Sequence, residues 1–214
     1  MDYRIIPGIL EKDWPVIETK IQQVLPFAKA IHIDLIDGKF APNTTFMDPE
    51  PFSKYTKDAF FELHMMVEEP INFLKPFSDS GFQRFIGHIE KMSDQVEFVA
   101  KAQLLGEVGL GVDQDSELDR VEVPFSDLDV LLFMTVKVGF SGQEFVGKNL
   151  DKIKKAREKS CIPIEVDGGV NDQTILKAKE SGADRFVATS FIFEDTPKEQ
   201  YKILHDKIAG GRWD

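Results

Sequence analysis

The chain has 214 residues, 42% of them hydrophobic and 29% charged, and a formal net charge of -11. That length is expected to form one domain, residues 1–214, with a core large enough to need no staples, and the single cysteine, Cys161, excludes an internal disulfide framework. The acidic balance argues against nucleic acid or an anionic membrane surface as partner, no stretch reaches the roughly 18 apolar residues of a membrane span, and MDYRIIPGIL lacks a signal-peptide pattern, so the chain is expected in the cytoplasm.

Arg4–Leu10 is a short apolar run of strand length, and Trp14–Val24 follows with Trp14, Ile17, Ile21 and Val24 at helical spacing. In the next run, Ala30–Leu35, His32 and Asp34 share a face, because alternate strand residues point the same way. A His and an Asp facing one direction out of an apolar strand need partners, since unpaired burial is costly. Asp48–Tyr55 reads as a weak helix, and Phe60–Met66 is a strand carrying a second histidine, His64. Arg84–Ile89 is the fourth strand; His88 and Glu90 at its end are expected to back the site or wall a pocket. Helix Asp94–Leu105, strand Glu107–Val112 and a weak helix at Ser116–Val121 come next. The sixth strand, Val130–Val136, leads into Val138-Gly139-Phe140-Ser141-Gly142-Gln143, and helix Leu150–Lys159 follows. Ile162–Val166 is the seventh strand, with Asp167 at its end and Gly168-Gly169 beyond. Helix Asn171–Ser181, strand Arg185–Ala188 with Thr189-Ser190 after it, and helix Lys198–Ile208 complete the alternation.

Eight mostly apolar strands alternating with about eight helices predict an α/β chain folded as a (β/α)8 TIM barrel. The competing architecture is an open doubly wound sheet, but the first strand–helix turn, Gly8–Asp13, has no glycine-rich dinucleotide loop. In a barrel, the strand C-termini converge on one rim, which would bring His32, Asp34, His64 and Asp167 together. Two imidazoles and two carboxylates suit one divalent Zn, Fe, Mn or Co ion rather than Ca or Mg. The glycine-bearing segments after strands six, seven and eight fit a phosphate cradle, with Ser141 and Ser190 as hydroxyl donors.

The segments His32–Asn43, Leu63–Val67, Val138–Gln143 and Glu165–Gly169, in this order, resemble the ribulose-phosphate 3-epimerase family over essentially the whole chain. The resemblance implies a (β/α)8 barrel in which His32, Asp34, His64 and Asp167 bind the metal and Asp34 and Asp167 serve as the acid/base pair. It implies interconversion of D-ribulose 5-phosphate and D-xylulose 5-phosphate in the pentose phosphate pathway, with no organic cofactor. Gly8, Met66, the loop Gly139, Phe140, Ser141, Gly142, and the turns Gly168-Gly169 and Thr189-Ser190 would contact the sugar phosphate. Departures accompany it. The family usually has serine at Gly8, methionine at Ile36, asparagine at Asp113, proline at Val138, and glycine at both Ser141 and Thr189. A substrate hydroxyl contact is therefore expected to be missing at Gly8, and Thr189 is expected to crowd the phosphate. These departures keep open a 3-epimerase of another ketose phosphate, such as a hexulose 6-phosphate, or a non-catalytic sugar-phosphate-binding paralogue. The 18 phenylalanines suggest spare aromatic surface, and the family often assembles, so a homo-oligomer fits.

Overall fold

Apolar runs with both faces covered pair in parallel, and here eight of them do so in chain order until the last meets the first. The computed structural model describes residues 4–209. Its strands are β1 (Arg4–Ile9), β2 (Ala30–Ile36), β3 (Phe60–Met66), β4 (Arg84–His88), β5 (Glu107–Val112), β6 (Val130–Met134), β7 (Ile164–Asp167) and β8 (Arg185–Ala188). Arg4 to Pro7 pair with Arg185 to Ala188, so the sheet closes and the open doubly wound alternative is excluded. The helices among the described residues are α1 (Trp14–Val24), α2 (Leu74–Asp79), α3 (Gln95–Gln103), α4 (Leu150–Lys159), α5 (Thr174–Glu180), α6 (Ser190–Phe193) and α7 (Pro197–Ala209).

Alternation along each strand sorts the chain into two cores. Ile31, Ile33 and Leu35 of β2, Leu63 and Met65 of β3, and Leu131 and Phe133 of β6 face outward, into the layer they share with Ile17 and Ile21 of α1 and Phe98 of α3. The intervening residues face into the barrel. Ile6, Ala30 and Val187 form one group there, and Ile36, Met66, Ile86, Leu132 and Met134 pack elsewhere inside it. The polar inward residues lie between these groups and at the top, which is where a barrel places its chemistry.

Several local expectations shift by a few residues. The seventh strand begins at Ile164 rather than Ile162 and takes in Asp167, because Pro163 has no N–H and contributes only its carbonyl, to Leu131 N at 3.0 Å. The weak helices at Asp48–Tyr55 and Ser116–Val121 are single 3-10 turns, Glu50–Lys54 and Leu118–Arg120. Asp94 caps α3 by accepting from Glu97 N at 2.8 Å, so that helix starts one residue later than the expected one. Aromatic exposure is mostly partial, with Phe27, Phe40, Phe46 and Phe60 among the half-buried rings. Phe140 is the one phenylalanine among the exposed large hydrophobics of the described residues, while Phe52, Phe61, Phe77, Phe85, Phe98, Phe133 and Phe186 are fully buried.

Candidate active site

Register alone brings the four expected ligands together. On neighbouring strands Asp34 stands beside His64, and His32 one pleat below stands beside Glu62. Asp167 comes from β7, which reaches β2 round the rim through β8 and β1. His64 Nδ1 lies 2.9 Å from Asp34 Oδ1 and 3.2 Å from Asp167 Oδ2. His32 Nε2 lies 3.3 Å from the same Asp34 oxygen and 3.9 Å from Asp167 Oδ2. One donor atom from each of the four residues falls within 4.8 Å of the others, and all four residues are buried. The β2 end is pinned by Thr45, whose hydroxyl accepts from Ile36 N and donates to the Asp34 carbonyl, both at 2.9 Å.

The surroundings of the quartet fit a cation. Nε2 of His32 is buried without a hydrogen-bond partner, although it faces the cluster. A fully buried nitrogen left in that state is rare unless something else binds it. Its other nitrogen, Nδ1, is held by Glu62 Oε1 at 2.8 Å, so the ring presents Nε2 to the cluster. Burial works against charge on both rings, yet contacts with Asp34 and Glu62 raise the His32 pKa well above its usual value, and Asp167 and Asp34 raise that of His64. Burial likewise pushes the Asp34 carboxyl up, but His32 and His64 outweigh it and hold it at about 2. The carboxylates thus demand positive charge here, and a divalent ion can supply it as well as two imidazolium protons can. His32, Asp34, His64 and Asp167 would be the residues that hold it.

Below the cluster lies a layer that the sequence reading did not assign. Glu62 accepts from Arg84 Nη1 at 2.5 Å, and Glu165 accepts from Arg185 Nε at 3.0 Å. Arg84 also reaches Glu107, and Arg185 Nη2 lies 3.6 Å from Glu62. Burial first, and then the neighbouring Glu62, push the Glu165 carboxyl up to about 7. The signal was present: Glu62-x-His64 and Glu165-x-Asp167 repeat the alternation of His32-x-Asp34.

Above the cluster is a cavity of about 430 Å³, measured out to its open mouth. Asp34, Asp167, Met66, Gly139, Phe140, Ser141, Gly142, Gly168, Gly169, Thr189 and Ser190 all line it, as do Leu10, Met134, Val136, Gln143, Val170 and Val187. No lysine or arginine is among them. The β6 loop folds over the β7 turn: Thr135 Oγ1 donates to the Asp167 carbonyl at 3.0 Å, and Gln143 braces its own loop through the Lys137 and Phe140 carbonyls. Gly168 and Gly169 have φ of +112° and +63°, and a Cβ on Gly169 would lie 2.8 Å from Phe145 N, so this close backbone approach needs glycine.

Gly8 alone of the expected contacts does not line the cavity, and the reason is Thr189. A Cβ at position 8 would lie 2.3 Å from Thr189 Oγ1 and 2.9 Å from Val187 Cγ1. The threonine side chain therefore fills the volume above Gly8, and a side chain at position 8 would force Thr189 and Val187 to shift. Gly8→Ser is expected to cost about 1–3 kcal/mol of stability by overpacking. Adding Thr189→Gly should recover most of that loss, and a double-mutant cycle on thermal unfolding checks the coupling.

A family model and the curated relatives point to one and the same family. The family model described as the ribulose-phosphate 3 epimerase family matches residues 4–193. The chain belongs to that family. It is therefore a carbohydrate epimerase, an isomerase. Among relatives, a protein of Chlamydia pneumoniae named ribulose-phosphate 3-epimerase is 35% identical over 81% of this chain and 80% of its own length. The rice (Oryza sativa subsp. japonica) protein named ribulose-phosphate 3-epimerase, cytoplasmic isoform, is 31% identical over 98% of this chain and 96% of its own. Among solved structures, KGPDC from Streptococcus mutans superposes with a TM-score of 0.78 over 98% of this chain and 99% of that one. At 13% identity that likeness speaks for the barrel alone. No helix among the described residues is long and apolar enough to cross a membrane.

Proposed function

We propose that this chain is a metal-dependent ribulose-phosphate 3-epimerase, interconverting D-ribulose 5-phosphate and D-xylulose 5-phosphate in the cytoplasm. The observation that carries the reading is the buried quartet His32, Asp34, His64 and Asp167, in which His32 Nε2 faces the cluster with no hydrogen bond of its own.

Epimerisation next to a carbonyl removes one proton from C3 and returns one to the opposite face. Asp34 and Asp167 both reach the cavity, from strands on different parts of the rim, so one can accept the proton and the other can then deliver its own. Between the two transfers the pair from the broken C–H bond forms a C2–C3 double bond and the carbonyl π pair moves onto oxygen, giving an enediolate. A divalent cation held by His32, Asp34, His64 and Asp167 would supply Lewis-acid stabilisation of the developing negative charge, worth several kcal/mol. Met66 and Met134 wall the site with apolar, adaptable side chains that limit water around the reacting carbon. The phosphate fits between the Gly139–Gly142 loop, the Gly168-Gly169 turn and Thr189-Ser190. In the absence of a basic lining residue, it would be held by backbone N–H groups and the Ser141 and Ser190 hydroxyls.

The test is a coupled assay of the purified protein on D-ribulose 5-phosphate before and after chelation. Turnover is expected, falling at least about a hundredfold when the ion is stripped and returning with Zn, Fe, Mn or Co ions. Turnover unaffected by complete stripping would remove the metal from the mechanism. The filled volume between Gly8 and Thr189 favours one second reading, a 3-epimerase of a different ketose phosphate. A higher kcat/KM on a hexulose 6-phosphate than on D-ribulose 5-phosphate would establish it.

A further inference from the structure

Behind the ligand His64 runs a line of buried groups whose protons are fixed by geometry. His64 uses Nδ1 toward Asp34 and Asp167, and its far nitrogen Nε2 lies 2.8 Å from Nε2 of His88. Two imidazole nitrogens at that distance share one proton: with none the lone pairs repel, and with two the protons collide. The other side of His88 decides who owns it. His88 Nδ1 lies 3.0 Å from Glu90 Oε2, and a carboxylate can only accept. Burial pushes the Glu90 carboxyl up, but hydrogen bonds from His88, Ser116 and Asp113 N outweigh it and favour the carboxylate. A neutral His88 therefore carries its proton on Nδ1, offers a lone pair at Nε2, and obliges His64 to donate from its own Nε2. His64 Nδ1 is then the nitrogen whose lone pair is available to a cation.

The line is held rigidly at each joint. Both rings are fully buried. Gly111 of β5 lies under His88 with no side chain; a Cβ there would come within 3.0 Å of the ring. Phe40 covers the ring with centroids 4.9 Å apart. Glu90 is fixed by its second oxygen, which accepts from Asp113 N at 2.9 Å.

We infer that Glu90 and His88 are positioning residues that keep the proton of His64 on its far nitrogen and so pre-set the near nitrogen for a divalent cation. This rests on reading the quartet as a cation site. Glu90→Gln is the incisive change. The amide oxygen can still accept from Asp113 N, which turns the NH2 group toward His88. An NH2 in that place needs an acceptor, so His88 must move its proton to Nε2, and His64 must then carry its proton on Nδ1, against the cation. The substitution keeps shape and packing and reverses the direction of the whole line.

The experiment is long-range 1H–15N NMR of the histidine rings in the wild-type protein, with and without Zn²⁺, together with Zn²⁺ affinity by chelator competition for wild type, Glu90→Gln and Glu90→Asp. The wild-type spectrum needs no substitution, so a variant that fails to fold does not stall the test. Expected are a His88 protonated on Nδ1 and not on Nε2, a reversed pattern in Glu90→Gln with Zn²⁺ affinity lowered about 10–100-fold, and substantial rescue by Glu90→Asp. A wild-type His88 protonated only on Nε2, or a Glu90→Gln protein that binds Zn²⁺ as tightly as wild type, overturns the inference while leaving the quartet and its epimerase reading intact. A wild type that binds no Zn²⁺, Mn²⁺ or Co²⁺ overturns both, and is told apart by the missing metal itself.

Discussion

Asp34→Asn is expected to lower the rate of epimerisation by at least about a thousandfold, from the loss of a positioned proton-transfer group alone. The asparagine is nearly isosteric but cannot accept the C3 proton, and it puts a neutral amide where Asp34 Oδ1 meets both His32 Nε2 and His64 Nδ1. The second effect compounds the first, because one of the two charges that draw a divalent ion to the quartet is gone. Asp167→Asn should fall by a comparable factor for the same two reasons, since its Oδ2 contacts the same two imidazoles. Steady-state rates on D-ribulose 5-phosphate measure both, with circular dichroism and thermal melting to show that the barrel persists. Wild-type turnover by either variant would end the two-carboxylate mechanism.

Glu62→Leu is expected to cost about 3 kcal/mol, at the lower end of the range for breaking a buried ion pair. Glu62 meets His32 Nδ1, Arg84 and Arg185, all buried, so its removal strands charge inside the barrel. Two compensations keep the loss from being larger. Arg84 retains Glu107, and Arg185 retains Glu165, whose carboxyl ionises more readily once the like charge beside it is gone. For a chain of this length the melting temperature should fall by about 6–12 °C. Glu62→Gln, which can still accept from His32, should fall by less. An unchanged melting temperature in Glu62→Leu would mean that the layer beneath the site contributes nothing to stability.

The barrel was legible in the sequence because its strands are short, apolar and bounded, and length and flanking breakers identify such runs where periodicity alone does not. The convergence of the buried quartet was legible for a related reason: a polar residue two places from another, in an otherwise apolar strand, has few explanations. Glu62 and Glu165 showed the same spacing but lacked a visible partner. Arg84 and Arg185 start their strands, where a charged residue passes for an exposed end. Only closure of the sheet turns those arginines inward. Helices α2 and α6, six and four residues long, carry no periodicity to read. The pairing of Gly8 with Thr189 joins positions at opposite ends of the chain and is visible only once β1 lies beside β8.

The proposed cation ligands stand on strands, backed by Glu62 and by His88 with Glu90, while the cavity's outer wall is built from loops such as Gly139–Gly142. Chemistry and recognition are thus carried by separable parts of one chain. Grafting a foreign β6 loop onto this scaffold should change which sugar phosphate is admitted without disturbing how its proton is moved, which makes the fold a natural starting point for directing epimerisation to new ketoses.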